Sequence, residues 1–577
     1  MPAQQTPHAN ALGRAALRNW LDQSPNNFFQ QDPFLSGLLE TFWGTERLNE
    51  HLSRLESAGR VFASIDAAVQ SADDRSHLPR LERYSSVGER IEEVVFHPAY
   101  RDIGRAIYGS GMMSVYKKPG QNLLALALFY LSAQNGEAGH NCPVACTAGI
   151  IKSLQSVADP TLAARYLPHL LEPDYDRCFT GAQFLTEIQG GSDVGANAAH
   201  AVPHETLAGA WWIHGEKWFC SNVNADLILL TARVPDQGDG TKGLGLFLLP
   251  RKLEDGRPNG IFIRRLKEKL GTRAMASAEC DFQQALAYAV GPVQQGFHNV
   301  MRHVINTSRL YNAMGVTGNA RRAFSIAWGY AQHRTAFGQP IQQFPLVHDL
   351  LARMKADIWA MLAGCAQLIQ LQDKAETSAL DADESALLRM GLNLNKFRTA
   401  LIAHEVILQS IEILGGNGTI ESFSALPRLL RDNVVYENWE GTHNVLIAQV
   451  QRDISRFQLH RPFFAWIQQR WAELPPEHPL HQQGRTITLS LEEHLQQLLA
   501  MEPFEASLFF RPALERITDL YYAAALCLPW MDAHQKQKPT QALDDALQLF
   551  FARRVLRLDA FAIPRYSERV KRFAASL

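Results

Sequence analysis

The stretch Trp439-Glu440-Gly441-Thr442 holds the densest chemistry in the chain, because it follows shortly after Leu414-Gly415-Gly416-Asn417-Gly418. A carboxylate beside a glycine can bring its side chain and its own backbone N–H close to a flat ligand. A Gly-Gly-Asn-Gly turn lets a phosphate approach the backbone. Together they point to one flavin site, where a proton leaves as a hydride is transferred. Glu440 lies near Tyr436 and Trp439. Burial among them would raise its pKa, which suits a base working on a weak carbon acid near neutral pH. The competing reading is a glutamate that opens a helix. The glycine turn lacks the G-x-G-x-x-G spacing and no strand reads before it, so a Rossmann nucleotide site is not indicated.

Three further stretches could face the same ligand. In Thr186-Glu187-Ile188-Gln189-Gly190-Gly191-Ser192-Asp193, two hydroxyls flank a Gly-Gly hinge. Taken alone it is equally a tight connection with polar caps. Lys217-Trp218-Phe219-Cys220-Ser221-Asn222 reads as a strand ending in polar residues, with an aromatic to pack on a planar ring and a serine for its edge. Tyr330 to Ile341 carries Arg334, Phe337-Gly338 and Pro340. An arginine fork there suits a diphosphate, or it is a helix-terminal arginine before a glycine stop. Cys142 and Cys146 stand one helical turn apart near His140, but without a second close pair a zinc site is not indicated. Arg264-Arg265-Leu266-Lys267-Glu268-Lys269 reads first as a solvated edge.

The elements that must position these residues follow an α–β–α order. Residues 1–30 are polar and read as a loose leader. Helical patterning runs from Pro33 to about Leu170. Between Phe179 and Phe282 come short β-type runs: Trp211–His214, Asp226–Thr231, Leu244–Leu249 and Ile261–Ile263. Their spacing predicts a small antiparallel barrel or sandwich. Helices follow at Ala320–Ala331, Leu346–Ala375 and Asp383–Leu414, then in a tail at Ser490–Leu499 and Ala542–Leu558. The expected domains are 1–178 (helical), 179–288 (β), 289–455 (helical bundle) and 456–577 (additional, mainly helical). A β module between two helical ones creates interfaces that suit a large cofactor.

Bulk properties bound the rest. A chain of 577 residues is too long for one core. The formal net charge of −2 gives no general affinity for nucleic acid or acidic membranes. Seven dispersed cysteines argue against a disulfide framework and for a reducing compartment. Met1 to Trp20 shows no secretory pattern, and the longest apolar run, Leu123–Leu131, is too short to span a bilayer. A soluble cytoplasmic protein without a membrane span is expected.

Taken in order, these pieces are more specific than any one of them. With Leu266–Arg273 added, the series from Thr186–Asp193 to Glu440-Gly441-Thr442 resembles the acyl-CoA dehydrogenase flavoproteins, over roughly Pro33 to Arg452. Phe96-His97-Pro98-Ala99, Glu137–Pro143, Ile188-Gln189-Gly190-Gly191, Pro345 and Trp439-Glu440-Gly441 are similar to one branch, the AidB-type alkylation-response flavoproteins. The resemblance implies a multidomain α+β fold: an N-terminal helical domain, a central antiparallel β barrel or sandwich, and a C-terminal four-helix bundle. An extra helical C-terminal region follows. FAD would lie between domains and subunits of a homotetramer.

By the same resemblance Gln183, Leu185, Thr186 and Ser192 line the flavin or ligand channel, and Phe219 and Ser221 hold the isoalloxazine ring. Arg334 and Phe337 contact the FAD of a neighbouring subunit, Gly415 and Gly416 its phosphate-adenosine part. Thr442 and Asn444 also touch FAD, and Arg309 supports the active site. Where some members place the base on the earlier helix this chain has Ser308, so Glu440 is the matched base. The implied substrate is an acyl-CoA or similar thioester. Its carbonyl would be held by the Glu440 backbone N–H and a ribityl hydroxyl while Glu440 takes the α-proton and the β-hydride passes to flavin N5. The electron acceptor would be an electron-transferring flavoprotein or oxygen. No metal is implied.

The AidB-type branch also implies duplex DNA binding through the C-terminal region. Arg553, Arg554, Arg557, Arg565, Arg569, Lys571 and Arg572 stand there against Asp559 and Glu568. Such a run is a phosphate stripe or the solvated face of a terminal helix. A third reading makes residues 456–577 a structural tail. Its aromatics, Phe463, Phe464, Trp466, Trp471, Phe509, Phe510, Tyr521, Tyr522, Phe550 and Phe551, supply surface for a core or a subunit contact.

Overall fold

The computed structural model describes residues 11–577. The first part comprises α1 (Ala11–Asp22), α2 (Pro33–Ser64), α3 (Asp66–Asp73), the hairpin β1 (Arg80–Tyr84) and β2 (Arg90–Val95), α4 (Pro98–Gly109), α5 (Asn122–Ala133), α6 (Asn141–Ser156) and α7 (Pro160–Leu170). The β region holds β3 (Gly181–Phe184), β4 (His200–Pro203), β5 (Ala210–Ser221), β6 (Leu227–Arg233), β7 (Leu244–Pro250), β8 (Ile261–Leu266) and β9 (Ser277–Ala289). Next come α8 (Gly296–Asn299), α9 (Asn306–His333), a short hairpin β10 (Thr335–Ala336) and β11 (Gln339–Pro340), α10 (Pro345–Thr377), α11 (Ala382–Leu414), α12 (Leu426–Asn438) and α13 (His443–Phe457). The tail consists of α14 (His460–Glu473), α15 (Pro479–Ala500), α16 (Pro503–Gln535), α17 (Gln541–Phe550) and α18 (Tyr566–Ala574).

These elements gather into two compact units. One contains residues 65–315 and 438–442. The other contains 11–64, 316–437 and 443–577. In the first, β6, β4, β5, β9 and β7 pair in that order and β6 pairs again with β7, so the sheet closes into a small barrel; β3 and β8 add at β6 and β9. Pairing is antiparallel except at β3–β6 and the single β4–β6 pair, which are parallel, a detail that strand spacing cannot reveal. The barrel core includes Phe184, Ile213, Cys220, Ile228, Leu230 and Phe282. β6 and β7 are buried on both faces, which explains why their sequences are continuous rather than alternating apolar runs. Every residue of α5 is buried, consistent with the apolar run as a core helix.

In the second unit α10 and α11 pack together and α13 packs on α11. Asp381 and Glu384 make a reciprocal capping box that starts α11, satisfying N–H groups the helix cannot pair itself. The tail belongs to this same unit. Tyr521 Oη donates to Gly364 O at 2.8 Å and Tyr522 Oη to Asn395 Oδ1 at 2.9 Å. Gly364 permits the approach: a Cβ there would stand 2.7 Å from Tyr522 Cε1. Arg398 and Asp519 form a buried two-pronged ion pair at 2.7 and 2.8 Å. Eight of the ten tail aromatics are buried in this unit, while Phe509 is exposed and Trp466 is partly covered.

Three local expectations change. Of the expected loose leader, residues 11–22 form α1 and residues 1–10 lie outside the described residues. The first helical stretch also contains the β1–β2 hairpin. α16, a 33-residue helix, was invisible to periodicity because Pro512 and Pro529 interrupt it.

Candidate active site

In the unit containing the barrel, Glu440 sits on the loop between α12 and α13. It has φ +57°, a left-handed conformation that a non-glycine residue holds only when its surroundings enforce it. One enforcing contact is Arg309 Nε, which donates to Glu440 O at 3.2 Å. Arg309 is buried near the start of α9, just after a π-helical stretch, Val300–Ile305. Such a bulge re-aims the residues that follow it. Glu440 is therefore a loop residue rather than a helix start, and its side chain is half-buried rather than enclosed. One residue before Arg309, Ser308 Oγ donates to Gln183 Oε1 at 3.4 Å. Gln183 Nε2 in turn donates to Cys146 O at 3.2 Å. The structure thus brings Arg309 to Glu440, and Gln183 to the same end of α9.

Leu185, Thr186 and Ser192 lie on the segment that follows β3. Trp218 N donates to Thr186 O at 2.8 Å, fixing that segment alongside β5. Beneath it is a pair the sequence reading quoted but did not single out: Lys217 Nζ donates to Glu187 Oε1 at 2.7 Å, with side chains 0% and 1% exposed. Lys217 also donates to Leu185 O at 3.2 Å. Glu187 Oε2 accepts from Ala198 N at 2.6 Å and Gln189 Nε2 at 2.9 Å. Burial pulls the Lys217 pKa down, and the Glu187 charge opposes that pull. Ser192 is exposed, and Thr442 is exposed at the end of the Glu440 loop.

Phe219 and Ser221 flank Cys220, which points into the barrel core. They therefore share the outer face of β5. Phe219 is 54% exposed, an uncovered aromatic surface beside a hydroxyl. Lys267 Nζ lies 3.7 Å from the Trp218 ring centroid and pairs with Glu279 at 2.8 Å. The stretch expected as a solvated edge is in part folded against this strand.

The other unit holds the remaining candidates. Arg334 follows α9, and Phe337 and Gly338 form the β10–β11 turn, both with positive φ (51° and 85°). Phe337 is 98% exposed. Gly415 and Gly416 follow the end of α11, and a Cβ on either would meet nothing within 4 Å. Gly418 differs, since a Cβ there would collide with Ile411 O at 2.6 Å. Internal packing thus accounts for Gly418 but not for Gly415 and Gly416, which leave backbone open to approach. Asn444 is exposed in the first turn of α13.

The same unit contains a second cluster that sequence reasoning missed. Glu437, at the end of α12, accepts from His404 Nδ1 at 2.7 Å and Asn433 Nδ2 at 3.1 Å. His443 Nε2 stands 3.5 Å from Glu437 Oε2, at ion-pair rather than hydrogen-bond geometry. Burial works against Glu437 ionisation, but the histidines outweigh it and hold the pKa at about 2. The hydrogen bond to Glu437 raises that of His404. Glu437 and His443 bracket residues 438–442 in the chain. The missed signal is Glu437 and His443 three residues either side of Glu440.

An exposed aromatic and hydroxyl on one strand face, and a Gly-Gly backbone open to approach, are the surfaces that a flat ring and a phosphate chain require. The residues present fit FAD. Comparison with known proteins agrees. Residues 22–177 match the adaptive response protein AidB N-terminal domain, 182–285 the acyl-CoA dehydrogenase middle domain and 294–455 the acyl-CoA dehydrogenase C-terminal domain. The Escherichia coli K12 protein AidB is 33% identical over 414 residues, 70% of this chain and 74% of its own. The chain belongs to the acyl-CoA dehydrogenase family. Its place is on the AidB-type branch of these FAD-dependent dehydrogenases.

Acyl-CoA dehydrogenase family member 11 of Caenorhabditis elegans is 30% identical over 447 residues, 74% of this chain and 71% of that one. The crystal structure of C. elegans ACDH-11 in complex with C11-CoA superposes with TM-score 0.84 at 26% identity, covering 94% of each chain. Among the described residues no helix is long and apolar enough to cross a membrane, and no group of His, Cys, Asp and Glu could hold a metal ion.

Proposed function

We propose that this protein oxidises an acyl-CoA or similar thioester, with Glu440 as the base that removes the α-proton. The observation that carries the proposal is Glu440 held in a left-handed turn by Arg309. That geometry fixes the backbone from which the carboxylate extends. A base confined near its proton gains over a free one because the entropy of positioning is already lost. The Glu440 N–H would donate to the thioester carbonyl, where enolate-like charge develops. FAD, when bound, supplies the hydride-accepting chemistry. Phe219, Ser221, Thr186, Leu185, Gln183 and Ser192 would hold and orient its ring side. Thr442 and Asn444 would add contacts, with Gly415 and Gly416 on its phosphate-adenosine part. The fully exposed Phe337, with Arg334, supports contact with the FAD of a neighbouring subunit in a homotetramer.

The C11-CoA bound by ACDH-11 supports an acyl-CoA ligand with a long apolar chain. Electron-transferring flavoprotein and oxygen both fit as acceptor, and the cytoplasm as location. Residues 1–178, 179–288, 289–455 and 456–577 remain the proposed domain division. The test is anaerobic mixing with a panel of acyl-CoAs: wild type bleaches, and Glu440→Gln keeps FAD but does not bleach. Bleaching by the variant would remove Glu440 from the role.

The DNA-associated reading needs an open charge stripe, and the stripe is largely neutralised inside the chain. Arg553 and Arg554 pair with Asp357, Arg569 with Asp544 and Asp545, and Arg572 with Asp545. Arg554 also pairs with Glu405 at 2.6 Å.

A further inference from the structure

Ser221, assigned above to the flavin ring, is the outer end of a hydrogen-bond chain. Its Cα pairs directly with that of Ser277 across the β5–β9 ladder, and the two Oγ atoms lie 3.1 Å apart. Ser277 is buried. Lys269 Nζ donates to Ser277 Oγ at 3.1 Å and to Met275 O at 2.7 Å.

The direction of this chain follows from what each group can do. An ammonium has only donors, so Ser277 Oγ must accept from Lys269. A hydroxyl has one proton, and that of Ser277 then goes to Ser221 Oγ. Among the described residues Ser277 Oγ has no other hydrogen-bond partner, so its proton is satisfied only at Ser221. Ser221 Oγ is thereby the acceptor of the pair, and its own proton is turned away from Ser277. On that face of β5 stands the exposed Phe219 ring.

Resting on the FAD reading above, we infer that Lys269 and Ser277 are positioning residues that fix Ser221 as a hydrogen-bond donor to the edge of the bound flavin. A serine without such a relay can donate or accept, and its rotor adapts to either. With Lys269 behind it, Ser221 Oγ already accepts from Ser277, which leaves its single proton for the ligand. The donor is also charge-assisted, because the ammonium polarises each hydroxyl in turn. It therefore discriminates between the redox forms of the ring, because reduction turns N5 from an acceptor into an N–H donor and places negative charge at the pyrimidine edge.

The test uses the holoproteins Lys269→Met, Ser277→Ala, Ser221→Ala and Ser221→Ala/Lys269→Met. Visible spectra and the flavin midpoint potential are measured against a reference dye. Lys269→Met and Ser277→Ala should each shift the balance between oxidised and reduced flavin about tenfold, in the same direction. For a two-electron couple that is a potential shift of about 30 mV. Lys269→Met should add no further shift once Ser221 is alanine. Wild-type potentials in both relay variants would overturn the inference. So would a Lys269→Met shift that persists undiminished in the Ser221→Ala background, since that is charge acting through space. Should Lys269→Met not fold, Ser277→Ala, which removes one oxygen, decides alone. A wild-type chain that takes up no FAD would overturn the underlying reading and this inference with it, a result distinct from a flavin whose potential ignores the relay.

Discussion

Replacing Lys217 by methionine leaves the Glu187 carboxylate buried, 1% exposed, without its cation. An ionised carboxylate in that setting is strongly disfavoured, so the variant should fold with Glu187 protonated. Protonation costs about 1.4 kcal/mol for each pH unit above the ordinary glutamate value of about 4.3. The penalty is therefore about 3.7 kcal/mol at pH 7 and about 1 kcal/mol at pH 5. The sign follows from linkage: the folded variant binds a proton that the unfolded chain releases above its ordinary pKa, so stability falls as pH rises. Denaturant unfolding of wild type and variant at the two pH values gives the difference directly. Adding Glu187→Gln should remove the pH dependence, because no titrating group remains. Loss of the pair should also loosen the 185–199 segment, since Lys217 holds Leu185 O and Glu187 holds Ala198 N. FAD should then dissociate faster from the single variant. A penalty equal at both pH values, or below about 1 kcal/mol at pH 7, would refute the argument that burial forces the proton on.

Three other outcomes are expected. Glu437→Gln should lower stability most between about pH 4.5 and 6.5. The depressed Glu437 pKa contributes above its unfolded value and is lost as pH falls through about 2, while the raised His404 pKa contributes below about 6.5 and is lost as pH rises through its folded value. At this partial exposure the effect should be about 1 kcal/mol, read from unfolding midpoints across that range. Gly364→Val should overpack the α10–α16 contact at Tyr522 and cost roughly 1–3 kcal/mol, seen as a lower thermal midpoint with Asn395 and Asp519 contacts disturbed. If DNA binds the terminal stretch, Arg557, Arg565 and Lys571, which make no ion pair among the described residues, are the cations left for it. Three phosphate contacts give a log–log salt slope of about −2.7 in a gel-shift titration, and a slope near −6 would show the internal pairs opening.

Local chemistry in the sequence determined a great deal here. Glycine, carboxylate, aromatic and hydroxyl residues at Gly415-Gly416, Glu440, Phe219 and Ser221 carry their meaning in type and spacing, and the α–β–α order follows from period and turn residues. β6 and β7 were visible as apolar runs because burial on both faces leaves little room for polar residues. What spacing cannot carry is which distant groups share a proton or a charge. Lys217 with Glu187, Ser221 with Ser277, and Arg553 and Arg554 with Asp357 are each pairings of residues far apart in the chain. A basic run looks the same in sequence whether it faces solvent or buried aspartates, and only the fold decided that most of this one is neutralised within the chain. α16 was hidden for a related reason: its internal prolines weaken the local signal, and packing of Tyr521 and Tyr522 against α10 and α11 outweighs that weakness. Residue type set what the site could do, and tertiary contact set which protons and charges are held in place to do it.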